Sequence, residues 1–293
     1  MCSSDLPRIA AEQLYFGEGP RWHGGRLWFS DFYDRAVKSL DTQGILRTEV
    51  ELDDHPSGLG WLPDGRLLIV AMRARKVMRQ DAGGLTVHAD LTSIAEYRAN
   101  DMVVDSRGGA YVGGFGFDLD ADIHQRGIPG VLQSHPSTAL ARVDSDGSVH
   151  VAASGLHFPN GMAITPDGRT LIVAETLSAC LTAFDIDARG QLANRRVWAS
   201  LGTRAPDGIC LDADGNVWVA DALAPECVLV APGGAELARV ATGDHCYACM
   251  LGGDDGRTLY MMTAPSSNAA IAAQAPKGRL LAANVSSGRA GWP

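Results

Sequence analysis

The sequence lacks the features that mark membrane-spanning and nucleic-acid-binding proteins. It contains no uninterrupted apolar run near 18 residues, the length at which a segment becomes a candidate membrane helix. Acidic residues outnumber basic ones, and the formal net charge is −9. A nucleic-acid partner would call for a basic stripe instead. We therefore expect neither a membrane nor a nucleic acid among the partners of this chain.

Cysteine is sparse, and the recognisable catalytic motifs are few. Cys246 and Cys249 form a C-x-x-C pair without a second pair. In a regular strand their thiols would point to opposite faces, so we interpret them as packing residues rather than a redox or zinc site. The chain has no G-x-S-x-G elbow, and no phosphate-binding glycine loop opens a helix. The first 14 residues lack a basic region followed by an apolar one, which predicts a cytoplasmic protein.

Helical periodicity is scarce as well, with a single helical turn expected at residues 91–97. Turn glycines instead recur at intervals of 40 to 60 residues, at Gly25, Gly65, Gly108, Gly168, Gly215 and Gly256. A second series of turns follows about 20 residues after the first, so each repeat contains two hairpins and four short strands. This pattern predicts an all-β chain in which residues 1–293 form a single six-bladed β-propeller domain with four-stranded blades. We expect residues 8–15 to complete the last blade beside residues 280–285.

One repeat is longer than the others. The interval from Gly108 to Gly168 is 60 residues, and the excess of about 19 residues falls within residues 115–138. Most of this insertion lacks strand alternation. It is therefore expected to be a long irregular loop that serves as a lid or a pocket wall near one mouth of the ring.

The residue at one position of the repeat varies while its surroundings stay constant. Eight residues before the turn glycine, or seven in the first repeat, the copies carry Glu18, Ser57, Asn100, Asn160, Asp207 and Ala248. The first residues of the innermost strands converge at the channel mouth of a propeller. Two carboxylates with amide oxygens, and no His or Cys, describe a central site for a hard cation. Ca²⁺ fits this site best, and Mg²⁺ or Mn²⁺ could replace it. Zn²⁺ would replace it in an assay rather than be the preferred ion.

A structural alternative stays open at this stage. Asn or Asp before Gly often only forms a turn, which would account for Asn160-Gly161 or Asp207-Gly208 taken singly. This alternative accounts poorly for Glu18. It also predicts a turn-forming Asn or Asp at position 248, where the residue is alanine.

Four segments together resemble the SMP-30/gluconolactonase/luciferin-regenerating-enzyme family. They are FGEGPRW (16–22), YRANDMVVD (97–105), FPNGMAITPDG (158–168) and PDGICLDADGNVWVAD (206–221). The resemblance implies a six-bladed propeller with one divalent cation on its axis and the hydrolysis of sugar lactones. It also implies that Glu18, Asn160 and Asp207 bind the metal. Asn100 would be a fourth axial group that contacts metal-bound water or the substrate, with Arg98 and Asp118 as further substrate-binding residues.

The chemistry expected of such a site is the ring opening of a small lactone. The cation would polarise the carbonyl, and Asp207 would accept a proton from the attacking water. Two alternatives remain at the level of sequence. One is an organophosphate hydrolase of the diisopropyl-fluorophosphatase type, and the other is a calcium- or ligand-binding propeller without catalysis. The oligomeric state is left open.

Overall fold

The computed structural model describes residues 7–292 and consists mainly of β-strands. In chain order the strands are β1 (Arg8–Leu14), β2 (Gly17–His23), β3 (Arg26–Asp31), β4 (Ala36–Asp41), β5 (Leu46–Glu51), β6 (Pro56–Trp61), β7 (Leu67–Ala71), β8 (Lys76–Asp81), β9 (Gly84–Asp90), β10 (Ala99–Val104), β11 (Ala110–Gly114), β12 (Thr138–Val143), β13 (Val149–Leu156), β14 (Pro159–Ile164), β15 (Thr170–Glu175), β16 (Cys180–Ile186), β17 (Leu192–Ser200), β18 (Pro206–Asp212), β19 (Val217–Asp221), β20 (Glu226–Val230), β21 (Glu236–Ala241), β22 (His245–Gly252), β23 (Thr258–Ala264), β24 (Gly278–Asn284) and β25 (Arg289–Ala290). The helices are α1 (Leu119–Gln133) and α2 (Ala269–Ala272). Cys2 and the start of the segment searched for a targeting signal lie outside the described residues.

The strands form six antiparallel sheets, which are the blades of a propeller. Blades 1 to 5 begin with β2, β6, β10, β14 and β18, and each adds the next three strands outward. Blade 6 contains β22, β23, β24 and β1. The innermost strands contact one another in cyclic order, from β2 through β6, β10, β14, β18 and β22 back to β2. The predicted six-bladed ring of four-stranded sheets is therefore confirmed.

The ring is closed by strands from opposite ends of the chain. Ile9 of β1 lies opposite Leu281 of β24, and Arg8 lies opposite Ala282. The predicted pairing of residues 8–15 with residues 280–285 is confirmed. Backbone hydrogen bonds between β1 and β24 therefore join the first described strand to blade 6 and hold the ring closed.

The second strand of each blade explains the apolar runs in the sequence. Strands β7, β11 and β19 are buried at every residue, because both faces pack against neighbouring blades. A strand covered on both faces has a continuous apolar sequence rather than an alternating one. The turn glycines before them adopt left-handed backbone conformations, for example Gly215 with φ 81°.

The insertion at residues 115–138 is mostly helical, so the expectation of an irregular loop is wrong. Helix α1 occupies 15 residues and begins after Asp118, whose side chain accepts a hydrogen bond from the Ala121 N–H. Its helical course is interrupted at Gly127 (φ 70°, ψ 166°), two residues before Pro129. Glycine and proline at these places interrupt the helical period, so the sequence pattern does not predict α1. Helix α2, in the loop between β23 and β24, was not predicted either. The helical turn expected at 91–97 is present, because the Ala95 N–H donates a hydrogen bond to the carbonyl of Leu91.

Residues 289–292 lie on the face of the ring where the inner strands end, opposite to the face where they begin. Strand β25 pairs with the final residues of β18, placing Ala290 opposite Leu211. Trp292 then exchanges two backbone hydrogen bonds with Ile164 at the end of β14. This segment therefore joins blades 4 and 5 at that face. Within residues 7–292, neither helix has both the length and the apolar character needed to cross a bilayer.

Candidate metal and substrate site

The polar residues predicted to converge occupy equivalent places in the inner strands. Glu18, Ser57, Asn100, Asn160 and Asp207 are each the second residue of their strand. In every case the strand register shifts at this point or just after it. Such a bulge turns a side chain away from the regular alternation of the sheet. The repeated shift thus directs one polar residue per blade toward the axis.

The glycines after these residues serve close packing between blades, not turns. Gly161 and Gly208 lie inside β14 and β18. A Cβ on Gly161 would lie 2.7 Å from the Cα of Gly208, and a Cβ on Gly208 would lie 2.6 Å from the Cα of Ala248. Neighbouring inner strands approach too closely for any larger residue here. The turn-forming alternative for Asn-Gly and Asp-Gly is therefore wrong.

The spacing from Gly256 predicted Ala248 at the sixth position, but the structure places Tyr247 there. Tyr247 falls within the register shift between Cys246 and Ala248, and it lines the same cavity as the other axial residues. The inner strand of blade 6 has eight residues, more than in any other blade, so the count back from the turn glycine is one residue short. We refer to Glu18, Ser57, Asn100, Asn160, Asp207 and Tyr247 as the hub.

A chain of side-chain hydrogen bonds links the hub across four blades. Ser57 Oγ donates to Asn100 Oδ1 over 2.9 Å, and Asn100 Nδ2 donates to Asn160 Oδ1 over 2.8 Å. Asn160 Nδ2 then donates to Thr176 Oγ1 over 3.2 Å, and this hydroxyl donates to the carbonyl of Pro206 over 2.7 Å. The amide of Asn160 is thereby held in one orientation. Sequence reasoning missed Thr176, because it follows the second strand of its blade and no repeat position marks it.

Glu18 and Asp207 are the two carboxylates of the hub, and both are buried. Burial is the main cause that raises the pKa of each well above its ordinary value. The charge of Asp207 raises the pKa of Glu18 further, and Asp101 adds to the shift at both. Glu18 Oε2 accepts a hydrogen bond from Gly19 N at 3.3 Å, whereas the buried Oδ1 of Asp207 has no hydrogen-bond partner. The described residues thus compensate the charges of these two carboxylates only in part, through Arg21 and the Gly19 N–H at Glu18 and through the Asn160 side chain at Asp207.

Tyr247 adds a neutral hydroxyl to this acidic centre. Burial raises its pKa to about 12, and the charges of Asp207 and Glu18 contribute to the shift. Its ring packs against Phe16, with ring centroids 4.7 Å apart. The hydroxyl therefore stays protonated at neutral pH and can act as a hydrogen-bond donor.

These observations test whether the hub suits a cation. Two buried carboxylates that repel each other, an unpartnered oxygen and adjacent amide oxygens form an all-oxygen donor set, which Ca²⁺ and similar hard ions prefer. Among residues 7–292 no group of three or more His, Cys, Asp or Glu side chains is placed to hold a metal ion. A cation at the hub would therefore depend on amide oxygen as well as on carboxylates, and Asn160 Oδ1 retains a second lone pair for it.

A buried ion pair lies directly behind the hub. Arg21 Nη2 donates to Asp101 Oδ1 over 2.6 Å, and both side chains are at most 7% exposed. The same guanidinium also donates to the carbonyls of Met102 and Leu59. Asp101 follows Asn100 in β10, so this pair fixes the backbone that carries a hub residue. Nothing in the sequence spacing singles out either residue.

The predicted substrate-binding residues divide into two groups. Arg98 and Asn100 line the cavity above the hub, and Arg98 Nη1 lies 3.8 Å from Asp120 Oδ2. Asp118 is exposed and does not line this cavity, because its side chain caps the start of α1. Asp120, two residues later, lines the cavity instead.

The cysteine pair departs from the geometry expected of a regular strand. Cys246 and Cys249 belong to one core cluster, and the Cys227 thiol lies beside both. The extra residue in the bulge at Tyr247 brings their side chains to the same side, so the expectation of opposite faces is wrong. All three are free and buried, as the packing interpretation predicts.

Comparison with known proteins places the chain among propellers of one family. Residues 16–265 match the family model described as SMP-30/Gluconolactonase/LRE-like region. Regucalcin of Danio rerio is 28% identical over 185 residues, which cover 61% of this chain and 59% of that protein. The pentonolactonase XacC of Haloferax volcanii is 27% identical over 266 residues, covering 88% of this chain and 85% of that protein. A solved structure of a calcium-binding protein, regucalcin from Agrobacterium tumefaciens, superposes with a TM-score of 0.77 at 21% identity, covering 98% of this chain and 96% of that one.

Proposed function

The chain belongs to the SMP-30/gluconolactonase/LRE-like family, and on that premise we propose that it is a divalent-cation-dependent hydrolase of small lactones. The observation that carries the proposal is the unpartnered Oδ1 of Asp207 beside a second buried carboxylate, Glu18. A relative named as a pentonolactonase supports the reaction, and a structural neighbour described as calcium-binding supports the ion. Sugar-lactone opening of the gluconolactonase type is the reference reaction.

The hub residues have distinct roles in this proposal. Glu18, Asn160 and Asp207 would hold the cation, with Ca²⁺ as the best match to their oxygens. Bound there, the ion would polarise the lactone carbonyl and acidify a water. Asp207 Oδ1 would accept the proton of the attacking water and return it to the ring oxygen as the C–O bond breaks. The net change is one water consumed and one hydroxy acid formed.

Other residues would position the substrate. Asn100 Nδ2 would supply a donor beside the reacting carbonyl, and the protonated hydroxyl of Tyr247, 3.5 Å from His245 Nδ1, would supply a second one. Arg98 would orient the substrate at the cavity mouth, where Asp120 limits its movement. Asp118 would act indirectly, by fixing the start of the helix that carries Asp120.

The test combines elemental analysis with a substrate panel. Purified protein should contain about one divalent ion per chain, lose activity in chelator and regain it with Ca²⁺. Asp207→Asn should keep the fold and lose at least about 100-fold in kcat, because general-base catalysis contributes 10²–10⁴-fold. A fully active Asp207→Asn variant would remove Asp207 as the base. Turnover of a phosphofluoridate without turnover of any lactone would overturn the proposed reaction.

A further inference from the structure

The cavity above the hub has apolar walls. It encloses about 500 Å³ and extends from Glu18 and Asp207 at its floor to helices α1 and α2 at its mouth. On one side Phe16 packs edge-on against Phe32, with centroids 6.1 Å apart. On the other side Phe115 stacks on Phe158 at 4.3 Å. Polar groups that could face a ligand are therefore confined to the floor and to a few positions near the mouth, among them Arg98, Asp120 and His124.

The helices contribute further apolar side chains to the same space. Large aliphatic residues of α1 and α2 and of the loop after β19 line the cavity, namely Leu119, Ile123, Ile128, Val131, Leu132, Leu223 and Ile271. Four of these are more exposed than is usual for such residues: Ile128 at 39%, Leu132 at 45%, Leu223 at 42% and Ile271 at 54%. Exposed apolar residues scattered singly need no explanation, but a cluster around a cavity marks a binding surface.

Several polar groups in the upper cavity have partners within the protein, whereas Arg98 and Asp120 face each other at 3.8 Å, beyond hydrogen-bond distance. Tyr33 Oη donates to the carbonyl of Ser267 over 2.9 Å, and the side chain of Asn268 accepts from Ala270 N over 2.8 Å at the start of α2. For most of its hydroxyls a polyhydroxylated sugar would depend on Arg98, Asp120, His124 and His245, because the surrounding walls are apolar. Each hydroxyl buried without a hydrogen bond weakens binding.

We propose that the preferred substrate is a lactone with an apolar substituent, an alkyl chain in particular, which lies between α1 and α2 while the ring carbonyl reaches the hub. This inference rests on the proposed lactone hydrolysis and narrows its substrate class. The floor of the cavity supplies the chemistry, and the walls supply binding energy for the chain through burial of its methylene groups. A sugar lactone would gain no comparable burial.

The first experiment compares γ-lactones that differ only in the length of the alkyl substituent, from none to octyl, with glucono-lactone as the polar reference. kcat/KM should rise by up to roughly four-fold for each methylene that the walls bury. The alkyl lactones should surpass the sugar lactone by at least about ten-fold. A flat or falling dependence on chain length, or preference for glucono-lactone, would overturn the inference.

A second experiment locates the effect in the helices. Leu132→Ser and Ile271→Ser should lower kcat/KM by a factor that grows with the chain length of the substrate. Leu237→Ser is the matched control, because Leu237 is 54% exposed on β21 and does not line the cavity. The control should keep the wild-type dependence on chain length. An equal loss for every chain length in the two helix variants would contradict a chain-binding role.

Failure of the inference and failure of the proposed function are separable by binding. γ-Lactams with the same substituents keep the ring and carbonyl but resist hydrolysis, and calorimetry measures their affinity directly. Affinity that rises with chain length while no lactone is opened would remove the hydrolase and leave the apolar subsite. Affinity that does not depend on chain length would overturn the inference whatever the activity.

Discussion

Asp31 and Asp207 are both buried carboxylates at the ends of blade strands, but only Asp31 is fully paired. Asp31 accepts hydrogen bonds from the backbone of Tyr15 and Phe16 and forms a 2.7 Å ion pair with Lys38. Asp207 Oδ1 has no partner at all. A buried charge is tolerated when it is paired and is costly when it is not. An aspartate side chain thus stabilises the fold at position 31, whereas at position 207 it is free to bind a ligand.

The Asn substitutions of these two residues should have opposite effects on stability. In chelator, Asp207→Asn should raise the free energy of unfolding by about 1 kcal/mol or more, because it removes a carboxyl whose ionisation burial disfavours. Asp31→Asn should lower it by about 2 kcal/mol, because Lys38 loses its buried partner and keeps only the more exposed Asp34 at 2.6 Å. Urea unfolding measures both. With saturating Ca²⁺ the wild type should be stabilised and Asp207→Asn should not, and a calcium response that survives in the variant would contradict Asp207 as a ligand.

Thr176 is expected to act on the cation through Asn160. Thr176→Val removes the acceptor that orients the Asn160 amide, so calcium affinity should fall about ten-fold, as for other residues that orient metal ligands. The matched control is Thr182→Val, another buried threonine of blade 4, whose hydroxyl bonds Glu175. Both variants should lose about 1 kcal/mol of stability. Calorimetric titration with Ca²⁺ distinguishes them, and equal affinities would show that Thr176 is only structural.

The ion pair behind the hub should be essential for stability. Arg21→Met leaves Asp101 buried without a counter-charge and should cost about 3 to 5 kcal/mol in the free energy of unfolding. The double variant Arg21→Met/Asp101→Asn should recover part of this loss. Arg66→Met, which removes a half-exposed arginine paired with Asp64 and Asp81, should change stability by about 0.5 kcal/mol or less. A loss as large for Arg66→Met would contradict the role assigned to burial.

His55 should make stability depend on pH in the acidic range. Its ring packs against Phe32 at 4.5 Å, and burial, followed by Arg73, lowers its pKa to about 4. Because the unfolded chain binds this proton near pH 6.5, stability is full above that pH and is lost as the pH falls toward 4. The loss should be about 1 to 2 kcal/mol, allowing for the partial exposure of the ring.

The control for this prediction is a second histidine. His55→Gln should flatten the dependence of the unfolding free energy between pH 6.5 and 4, measured in chelator so that ion binding does not contribute. His150→Gln, at an exposed position on β13 where the ring lies 3.6 Å from Asp144, should change the dependence less than His55→Gln does. Identical pH profiles for wild type and His55→Gln would refute the assignment.

The architecture could be predicted from the sequence because its determinants are local and repeated. Each hairpin is specified by a turn glycine such as Gly65 or Gly215 and by the apolar run that follows it. Six copies in register determine the blade number without any knowledge of long-range contacts. The positions of Glu18, Asn100, Asn160 and Asp207 followed from the same register, since equivalent places in a ring converge.

The remainder of the site depends on contacts that no repeat encodes. One extra residue in β22 moved the sixth hub position from Ala248 to Tyr247. Thr176 and Arg21 act through hydrogen bonds between residues that are distant in the sequence. Helix α1 was missed because Gly127 and Pro129 interrupt its period, although its apolar residues form much of the cavity wall. Whether the hub binds a cation and turns over a lactone remains a prediction.

The pairing of Ile9 with Leu281 has a consequence for how the chain acquires its shape. Strand β1 cannot pair with β24 until every strand between them has been synthesised. Joining segments so distant in sequence slows folding, because a large loop must be ordered before the contact forms. During that interval β1 has no partner, and its unpaired backbone is open to mistaken pairing with other nascent chains. Chaperone dependence during synthesis should therefore be greatest just before β24 emerges.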